Sequence, residues 1–337
     1  MQLSRLARAA VTAVAALVAA VSALATGAHA ETKFPTGPVR ILVPYAPGGA
    51  TDISSRIIAE HLRKIWNESI VVENKVGASG IIALEEMMRA KPDGHTLMVG
   101  NVSTNALTPI LLKHKLGKID YEKDVTTVAR VADAPVLLLS TTKDFAPKTF
   151  KEFIDLAKAN PGKIKYSSAG LGSVQQVDSS VLAAKVGIDM VHIPTKAGAA
   201  QINRDIVAGD TQITWGNPAS SGKFIEAGQM RALAVVGDTR LKQFPEVPTM
   251  AELGMPDVGS LQWQTMIAPT TVPAEILDAI YAAVEKAYTT PELVEAMTRV
   301  GFEKPKQTSR KANAEWFTSE FARYKKIIAD LKIVAEE

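Results

Sequence analysis

Two patterns of apolar residues alternate along the chain from residue 39 onward. Short runs rich in Val, Ile and Leu predict strands, and between them apolar residues recur at helical spacing on one face. In the first half, strands are predicted at residues 39–45, 70–73 and 95–99, with helices at residues 52–66 and 80–89. Strand–helix–strand units of this kind are typical of parallel sheets.

The same succession starts again in the second half. Thr149 and Glu152 form a capping box that predicts the start of a helix, and Asn160-Pro161-Gly162 predicts its end. Strands follow at residues 163–166, 190–193 and 212–215, with helices between them that end at Gly187 and Gly209. The simplest interpretation is an α/β protein made of two βαβ lobes.

In this interpretation the chain crosses between the lobes twice. Residues 125–140 are β-rich and predict a strand that crosses from lobe 1 to lobe 2, and the return lies between residues 227 and 263. We therefore expect lobe 1 to comprise residues 31–134 and 227–337, and lobe 2 to comprise residues 135–226. Two lobes joined by two crossovers form a hinge around a central cleft.

Residues 1–30 follow a different pattern. Arg5 and Arg8 precede an uncharged run rich in Ala and Val at residues 9–25, and the segment ends in Ala-His-Ala. A basic start, a short apolar run and an A-x-A end predict a secretory signal peptide, cleaved after Ala30. The run is shorter and less apolar than the roughly 20 residues that a membrane span needs.

Composition and charge narrow the class further. The chain has 337 residues, 47% of them hydrophobic and 22% charged, as in an ordinary globular protein. Its net charge is +3 and its lysines are scattered, so a nucleic-acid-binding face is not expected. Without cysteine, the chain has neither disulfides nor a lipidated cysteine to hold it on a membrane. We expect a protein that is soluble in the bacterial periplasm after export.

Two glycine-rich turns each precede a predicted helix. YAPGGATD, residues 45–52, opens a helix of lobe 1, and SSAGLGS, residues 167–173, opens a helix of lobe 2. The first N–H groups of a helix lack partners and carry partial positive charge, so a glycine turn there accommodates an anion. Both turns follow strands, where ligands of open parallel sheets bind. Either turn alone is equally consistent with a simple tight turn, but their matched positions favour an anion held between the lobes.

Motifs along the mature chain resemble the substrate-binding receptors of tripartite tricarboxylate transporters, also called Bug receptors. They are PYAPGGATD (44–52), VVENKVGASGIIA (71–83), STNALTP (103–109), SSAGLGS (167–173), RALAV (231–235), PEVPTMAELG (245–254) and WQTMIAP (263–269). Each motif alone is weak, whereas the complete set in this order is specific.

The resemblance implies a type II periplasmic-binding fold that closes on a small carboxylated solute and delivers it to a membrane permease. It implies no catalysis, no cofactor and no metal, and we expect a monomer. Main-chain groups and waters, rather than an arginine, would hold one ligand carboxylate between the two glycine turns. The ligand-binding residues implied are Tyr45, Pro47, Gly48, Gly49, Thr51, Asp52, Ser103, Thr104 and Asn105 in lobe 1, Ser168, Ala169, Gly170, Ser173, Thr195, Lys196, Trp215 and Asn217 in lobe 2, and Trp263.

Two of these residues have two interpretations each. Asp52 would repel a carboxylate, so we expect it to hold the backbone of the PGG turn; the alternative is that it pairs with an amino group on the ligand. Trp263 forms either an apolar wall of the cleft or part of the core.

The segment SVQQVDSS, residues 173–180, lacks the histidine and leucine usual in the family, so Gln175 or Gln176 is expected to replace a bulkier contact. This departure leaves the ligand's identity open.

A secreted enzyme is the main alternative. Residues 140–143 and 220–223 both fit the SxxK pattern of penicillin-recognising serine hydrolases, but a KTG partner and GxSxG are missing. A dinucleotide enzyme would use Glu73, at the end of the second strand, to bind ribose, but GxGxxG is missing. The histidines of the mature chain are isolated, so a metal site is not expected.

Overall fold

The computed structural model describes residues 34–170, 172–195 and 198–333. The predicted signal peptide, its cleavage after Ala30 and the predicted ligand contact Lys196 lie outside the described residues. Two five-stranded sheets organise these residues, with apolar clusters on both faces of each sheet. No helix within the described ranges has the length and apolar character needed to cross a membrane.

Lobe 1 contains the first sheet. Its strands are β1 (Val39–Val43), β2 (Ile70–Asn74), β3 (Thr96–Asn101), β4 (Val125–Ala134) and β10 (Gln262–Pro269). Their order across the sheet is β2-β1-β3-β10-β4. Strand β1 pairs in parallel with β2 and β3, whereas β10 runs antiparallel to β3 and β4.

Lobe 2 repeats this plan. Its strands are β5 (Leu137–Thr141), β6 (Ile164–Ser168), β7 (Met190–Pro194), β8 (Ile213–Gly216) and β9 (Met230–Val235). Their order is β7-β6-β8-β5-β9. Strand β6 is parallel to β7 and β8, and β5 is antiparallel to β8 and β9.

Each sheet is therefore mixed, although the sequence predicted parallel sheets. Three strands of each sheet are parallel, as the βαβ pattern requires, and the remaining two strands adjoin a crossover between the lobes. Parallel neighbours need a long return connection, usually a helix. Strands that enter or leave a lobe through a crossover lack such a return, and here they pair antiparallel.

The first crossover joins β4 to β5. Strand β4 ends at Ala134 and β5 begins at Leu137, within the β-rich residues 125–140. The return does not lie at residue 227. Strand β9 pairs with β5 in the second sheet, so the return falls between Val235 and Gln262, and residues 227–235 belong to lobe 2.

Helices cover the sheets on both sides. In lobe 1 they are α1 (Ala50–Trp66), α2 (Ile81–Arg89), α3 (Thr108–Leu111), α4 (Tyr121–Asp124), α9 (Ala274–Ala287), α10 (Pro291–Arg299) and α11 (Arg310–Asp330). In lobe 2 they are α5 (Phe150–Ala159), α6 (Val174–Val186), α7 (Ala199–Ala208) and α8 (Pro218–Glu226). The C-terminal helices pack against elements of lobe 1, since α9 contacts α1 and α11 contacts β4.

Local sequence signals set several helix ends. The Thr149 hydroxyl accepts a hydrogen bond from Glu152 N–H at 3.2 Å, and the Glu152 carboxylate accepts one from Lys148 N–H at 2.6 Å. Helices α6 and α7 end at Gly187 and Gly209, both left-handed, with φ of 70° and 81°. The predicted N-cap at Thr149 and the glycine ends are confirmed, but the Glu152 carboxylate bonds the N–H of Lys148 and not that of Thr149, so the capping box is incomplete.

The first turn of α6 packs against lobe 1. Val174 and Val177 are almost fully buried, in the same apolar cluster as Val102 and Leu107 of lobe 1. Burying such side chains stabilises a contact by about 1.5 to 3 kcal/mol each. The N-terminal end of α6 is therefore fixed at the boundary between the lobes.

Candidate functional site

A cavity of about 60 Å³ lies between the lobes, and we call it the inner cavity. Its wall includes the residues that follow the carboxyl ends of β1, β6 and β8, which the topology of each lobe brings to the cleft. A second space of about 510 Å³, the outer cavity, adjoins it and shares Tyr45, Ser103, Ala169 and Gly198 with it. The described residues that line the two cavities include no charged side chain.

Four helices present their N-terminal residues to the inner cavity. The N-cap Gly49 and the first residues of α1, Ala50 and Thr51, line it from lobe 1, and the first residues of α6, α7 and α8 face it from lobe 2. Each helix end carries unpaired N–H groups and about half a positive charge. Backbone dipoles on both sides thus give a positive potential to a cavity whose described lining has no charged side chain, which suits an anion.

The turn before α1 is held by Asp52. Its carboxylate accepts hydrogen bonds from Gly48 N–H at 3.0 Å, Arg56 Nε at 3.0 Å and Asn74 Nδ2 at 2.9 Å. Burial opposes ionisation, but these hydrogen bonds together lower the pKa of Asp52 below its ordinary value. Asp52 lines neither cavity, so its contacts agree with the turn-holding interpretation.

A hydrogen-bonded set of neutral side chains forms the lobe 1 wall. Asn101 Oδ1 accepts from Tyr45 OH at 2.8 Å and from Ser103 N–H at 3.0 Å, and Asn101 Nδ2 donates to the Thr51 hydroxyl at 3.2 Å. Burial raises the pKa of Tyr45 to about 12, so its hydroxyl remains a donor at physiological pH. These bonds fix the polar groups that face the inner cavity.

The SSAGLGS turn meets lobe 1 directly. Ser103 Oγ accepts a hydrogen bond from Val174 N–H, the first of α6, at 2.9 Å. Gly172 N–H donates to Gln176 Oε1 at 2.7 Å, which stabilises the turn. The Ser173 hydroxyl, buried at the N-cap, and Gln175 Oε1 have no hydrogen-bond partner among the described residues. Of the two glutamines named from sequence, Gln175 lines the cavity, while Gln176 serves the turn.

Helices α7 and α8 form the far wall of the inner cavity. Asn203 Nδ2 donates to the Ser220 carbonyl at 2.8 Å, and Ser221 Oγ donates to Asn203 Oδ1 at 3.0 Å. Asn217 caps α8 through Ser220 N–H at 3.1 Å, and its Nδ2 lies 3.4 Å from Oε1 of Gln262, the first residue of β10. This last contact also joins the two lobes.

The structure brings most of the predicted ligand-binding residues to the cleft. The inner cavity is lined by Tyr45, Pro47, Gly49, Thr51, Ser103, Ala169, Trp215 and Asn217. The outer cavity adds Thr104, Gly170, Ser173 and Thr195. The predicted residues that line neither cavity are Gly48, Asp52, Asn105, Ser168 and Trp263.

Three of these last residues have structural partners instead. Trp263 packs edge-on against Trp316 and Phe317 and lies in the lobe 1 core, the second of its two interpretations. Asn105 is fully buried and its Nδ2 donates to the Thr265 carbonyl at 3.2 Å. The Ser168 hydroxyl lies 2.6 Å from His192 Nε2.

Several lining residues did not follow from the sequence. They include Asn101, Ser220, Ser221 and Gln262, and the first turns of α7 and α8. The SSAGLGS turn is identified as a glycine turn that follows a strand and opens a helix. Gly198, which opens α7 at φ 65° after a parallel strand, fits the same description. Applying that description to every strand end of lobe 2 would have found Ala199, but not Gln262.

The enzyme alternatives lack the required geometry. Ser140 is fully buried in β5, and Lys143 Nζ donates to the Ala208 carbonyl at 2.9 Å. In the second SxxK motif, the ammonium of Lys223 lies 5.0 Å from the ring centroid of Phe224. Glu73 accepts two hydrogen bonds from Arg40, at 2.6 and 2.9 Å, which lower its pKa to about 2. Glu73 is therefore committed to an ion pair.

Two α/β lobes, joined by two crossovers around a cleft rich in helix N-termini, define a solute receptor of the periplasmic-binding class. The profile of the tripartite tricarboxylate transporter receptor family, TctC, matches residues 54–333. The chain belongs to this family. A UPF0065 protein from the tcbD-tcbE intergenic region of Pseudomonas sp. strain P51 is 30% identical, over 93% of this chain and 92% of its own length.

Solved structures of related proteins agree with the fold. R. palustris Rpa4515 with adipate is 28% identical and superposes with a TM-score of 0.83, over 89% of this chain and 99% of that one. MatC from Rhodopseudomonas palustris with bound malate is 29% identical, with a TM-score of 0.79, over 88% and 100% of the two chains. These similarities support a receptor without catalytic activity and give no support to a hydrolase.

Proposed function

We propose that the protein captures a small carboxylate between its lobes and delivers it to the membrane subunits of a tripartite tricarboxylate-type transporter. The observation that carries the proposal is the convergence of four helix N-termini, from both lobes, on one cavity without charged side chains among its described lining. The adipate and malate bound by two related receptors belong to the same chemical class.

Backbone donors supply enough free energy for a transport receptor. A hydrogen bond from N–H to a carboxylate contributes about 1.5 to 3 kcal/mol. Three or four such bonds, after the cost of ordering ligand and lobes, correspond to affinities in the micromolar range or tighter. Gly49, Ala50 and Ala199 are placed to provide them from the two sides of the cavity.

Binding is coupled to closure of the hinge. The contacts of Ser103 with Val174 and of Asn217 with Gln262 join the lobes next to the inner cavity. A ligand that contacts both lobes stabilises the closed form relative to the open form, which shifts the population toward closure. The predicted export signal and the family both support a periplasmic location for this cycle, and we propose that the receptor works there as a monomer.

The test begins with native mass spectrometry of protein purified from its own host without refolding, because a trapped solute would reveal its mass. A thermal-shift panel of mono-, di- and tricarboxylates, with amino-substituted counterparts, follows. We expect at least one acid to raise the melting temperature and to compact the protein in small-angle scattering. A panel that leaves both quantities unchanged would refute the proposal.

Two arms of the experiment address its finer parts. Because Asp52 is occupied by the turn, an α-amino group should not improve binding, and stronger binding of amino acids would restore the alternative role of Asp52. Sedimentation with and without ligand should give the mass of one chain, whereas a larger mass would refute the monomer.

A further inference from the structure

One buried carboxyl of lobe 2 takes no part in the contacts described above. Asp178 lies on α6 and is 2% exposed. Its Oδ2 accepts from the N–H of Ser260 at 3.0 Å, and its Oδ1 accepts from the Ser260 hydroxyl at 2.7 Å. Ser260 belongs to the second crossover, so Asp178 ties the cavity end of α6 to the segment that joins the lobes.

The charged and titratable groups that face Asp178 come from α11. The Arg323 guanidinium is engaged by Glu320, with Nε to Oε1 at 2.9 Å and Nη2 to Oε2 at 3.0 Å, and acts on Asp178 only through space. The Tyr324 hydroxyl stays neutral because burial raises its pKa. The crossover contributes Ser260, which does not titrate. Asp178 thus has hydrogen bonds but no direct cationic partner among the described residues.

Asp178 changes charge in an unusual range for an aspartate. Burial raises its pKa to about 7, although the hydrogen bonds from Ser260 and the charge of Arg323 favour the ionised form. Near neutral pH the site therefore holds a mixture of the neutral and the ionised carboxyl.

Asp178 lies behind the end of α6 that lines the inner cavity. It is four residues beyond Val174, whose first turn lines the inner cavity, which places it about 6 Å further along the helix axis. An anion in the inner cavity, about 3 Å beyond that helix end, is then roughly 9 Å from the carboxyl. An ionised Asp178 opposes the potential that attracts the anion.

We propose that anion capture is coupled to a proton on Asp178, so that the receptor binds its ligand more tightly below neutral pH than above it. The inference rests on the proposed function. With an effective dielectric constant of roughly 20 to 40, two charges about 9 Å apart interact strongly enough to change affinity about five- to twentyfold. Because linkage is reciprocal, the bound anion raises the proton affinity of Asp178 by the same factor.

The test measures the dissociation constant by calorimetry between about pH 5.5 and pH 8.5. The ligand is the acid that gives the largest thermal shift in the panel, which includes malate and adipate. In the wild type we expect affinity to fall about five- to twentyfold across this range. Ionisation of the acid itself would change affinity in the opposite direction. Asp178→Asn, which keeps the shape without the charge, should bind at the low-pH level throughout.

A matched control is Asp155→Asn, which removes an exposed carboxylate from α5 of the same lobe and should retain the wild-type slope. Ser260→Ala removes a hydrogen bond that favours ionisation of Asp178, so the pH midpoint of the change in affinity should move to higher pH. This variant tests the coupling even if Asp178→Asn folds poorly. Without ligand, the stability of the wild type relative to Asp178→Asn should fall as the pH rises from about 4 to about 7, because in this range the folded state retains a proton that the unfolded state has lost.

The outcomes separate the two proposals. A flat affinity profile in the wild type, or an unchanged slope in Asp178→Asn, would overturn the proton coupling while leaving carboxylate capture intact. A midpoint that Ser260→Ala leaves unmoved would also overturn it. A panel in which no acid binds would overturn the proposed function itself, and the coupling with it.

Discussion

Gly49→Val places a branched side chain at the N-cap of α1, on the wall of the inner cavity. The backbone of Gly49 is extended, with φ −82° and ψ 166°, a conformation that β-branched residues adopt without strain. A Cβ at this position would lie 3.9 Å from its nearest neighbour, the Ala46 carbonyl oxygen. The fold therefore accepts valine.

The ligand site does not accept it. The inner cavity measures about 60 Å³, and one water requires about 10 to 15 Å³, so the cavity holds roughly a carboxylate and one or two further atoms. The valine methyl groups take that space and displace the anion from the N–H groups of α1. Losing two bonds of about 1.5 to 3 kcal/mol each weakens binding at least about 100-fold. Replacing glycine at an N-cap costs only about 1 kcal/mol of folding free energy.

Calorimetry with the strongest acid from the panel measures the loss, and a thermal melt without ligand confirms folding. We expect the melting temperature to fall by about 2 to 4 °C. Gly37→Val is the matched control, because a Cβ added at Gly37 would have no neighbouring atom within 4 Å and Gly37 lines neither cavity. A folded Gly49→Val protein with wild-type affinity would refute an anion site at this helix end.

Three further predictions concern individual contacts. Ser103→Ala removes the acceptor for the first N–H of α6, and a loss of about 1 kcal/mol should weaken binding about fivefold in calorimetry. Trp263→Phe should leave ligand affinity unchanged but lower the free energy of unfolding by about 1 to 3 kcal/mol, because Glu320 loses its indole donor. Trp215→Phe, on the cavity wall, should instead weaken ligand binding. Urea denaturation measures the loss of stability in each variant, and calorimetry measures the loss of affinity. Asp52→Asn should destabilise by about 2 kcal/mol at neutral pH. The stabilisation that the Asp52 carboxylate gives the wild type is present above about pH 4 and is lost as the pH falls through the lowered pKa of Asp52. Identical acid denaturation profiles of wild type and variant would contradict this prediction.

Local features of the sequence predicted local features of the structure. The N-cap at Thr149, the glycine ends of α6 and α7 and the bonds of Asp52 to Gly48 and Arg56 all depend on groups within a few residues of each other along the chain. The energies that decide them are the same in any fold that contains the segment. The βαβ pattern likewise predicted the three parallel strands of each sheet.

Other features required the partner segment to be known. The apolar residues of the RALAV motif, in β9, could pair in either sheet, and only their register with β5 assigns the motif to lobe 2. Trp263 lies on β10, which is buried along its whole length, so alternation along the strand does not distinguish core from cleft. Gln262 reaches the cavity from a strand of the other lobe, and no local signal indicates this.

The sequence alone determined the alternation of strands and helices, the glycine turns that leave helix N–H groups open, and the family, because these depend on short-range patterns and on motif order. The tertiary structure decided which helix ends converge, which predicted residues face the cavity, and that Asp178 is buried behind one of those ends. These depend on contacts between residues far apart in the chain, such as Asn105 and Thr265 at a separation of 160 positions, and their free energy exists only once the lobes are assembled.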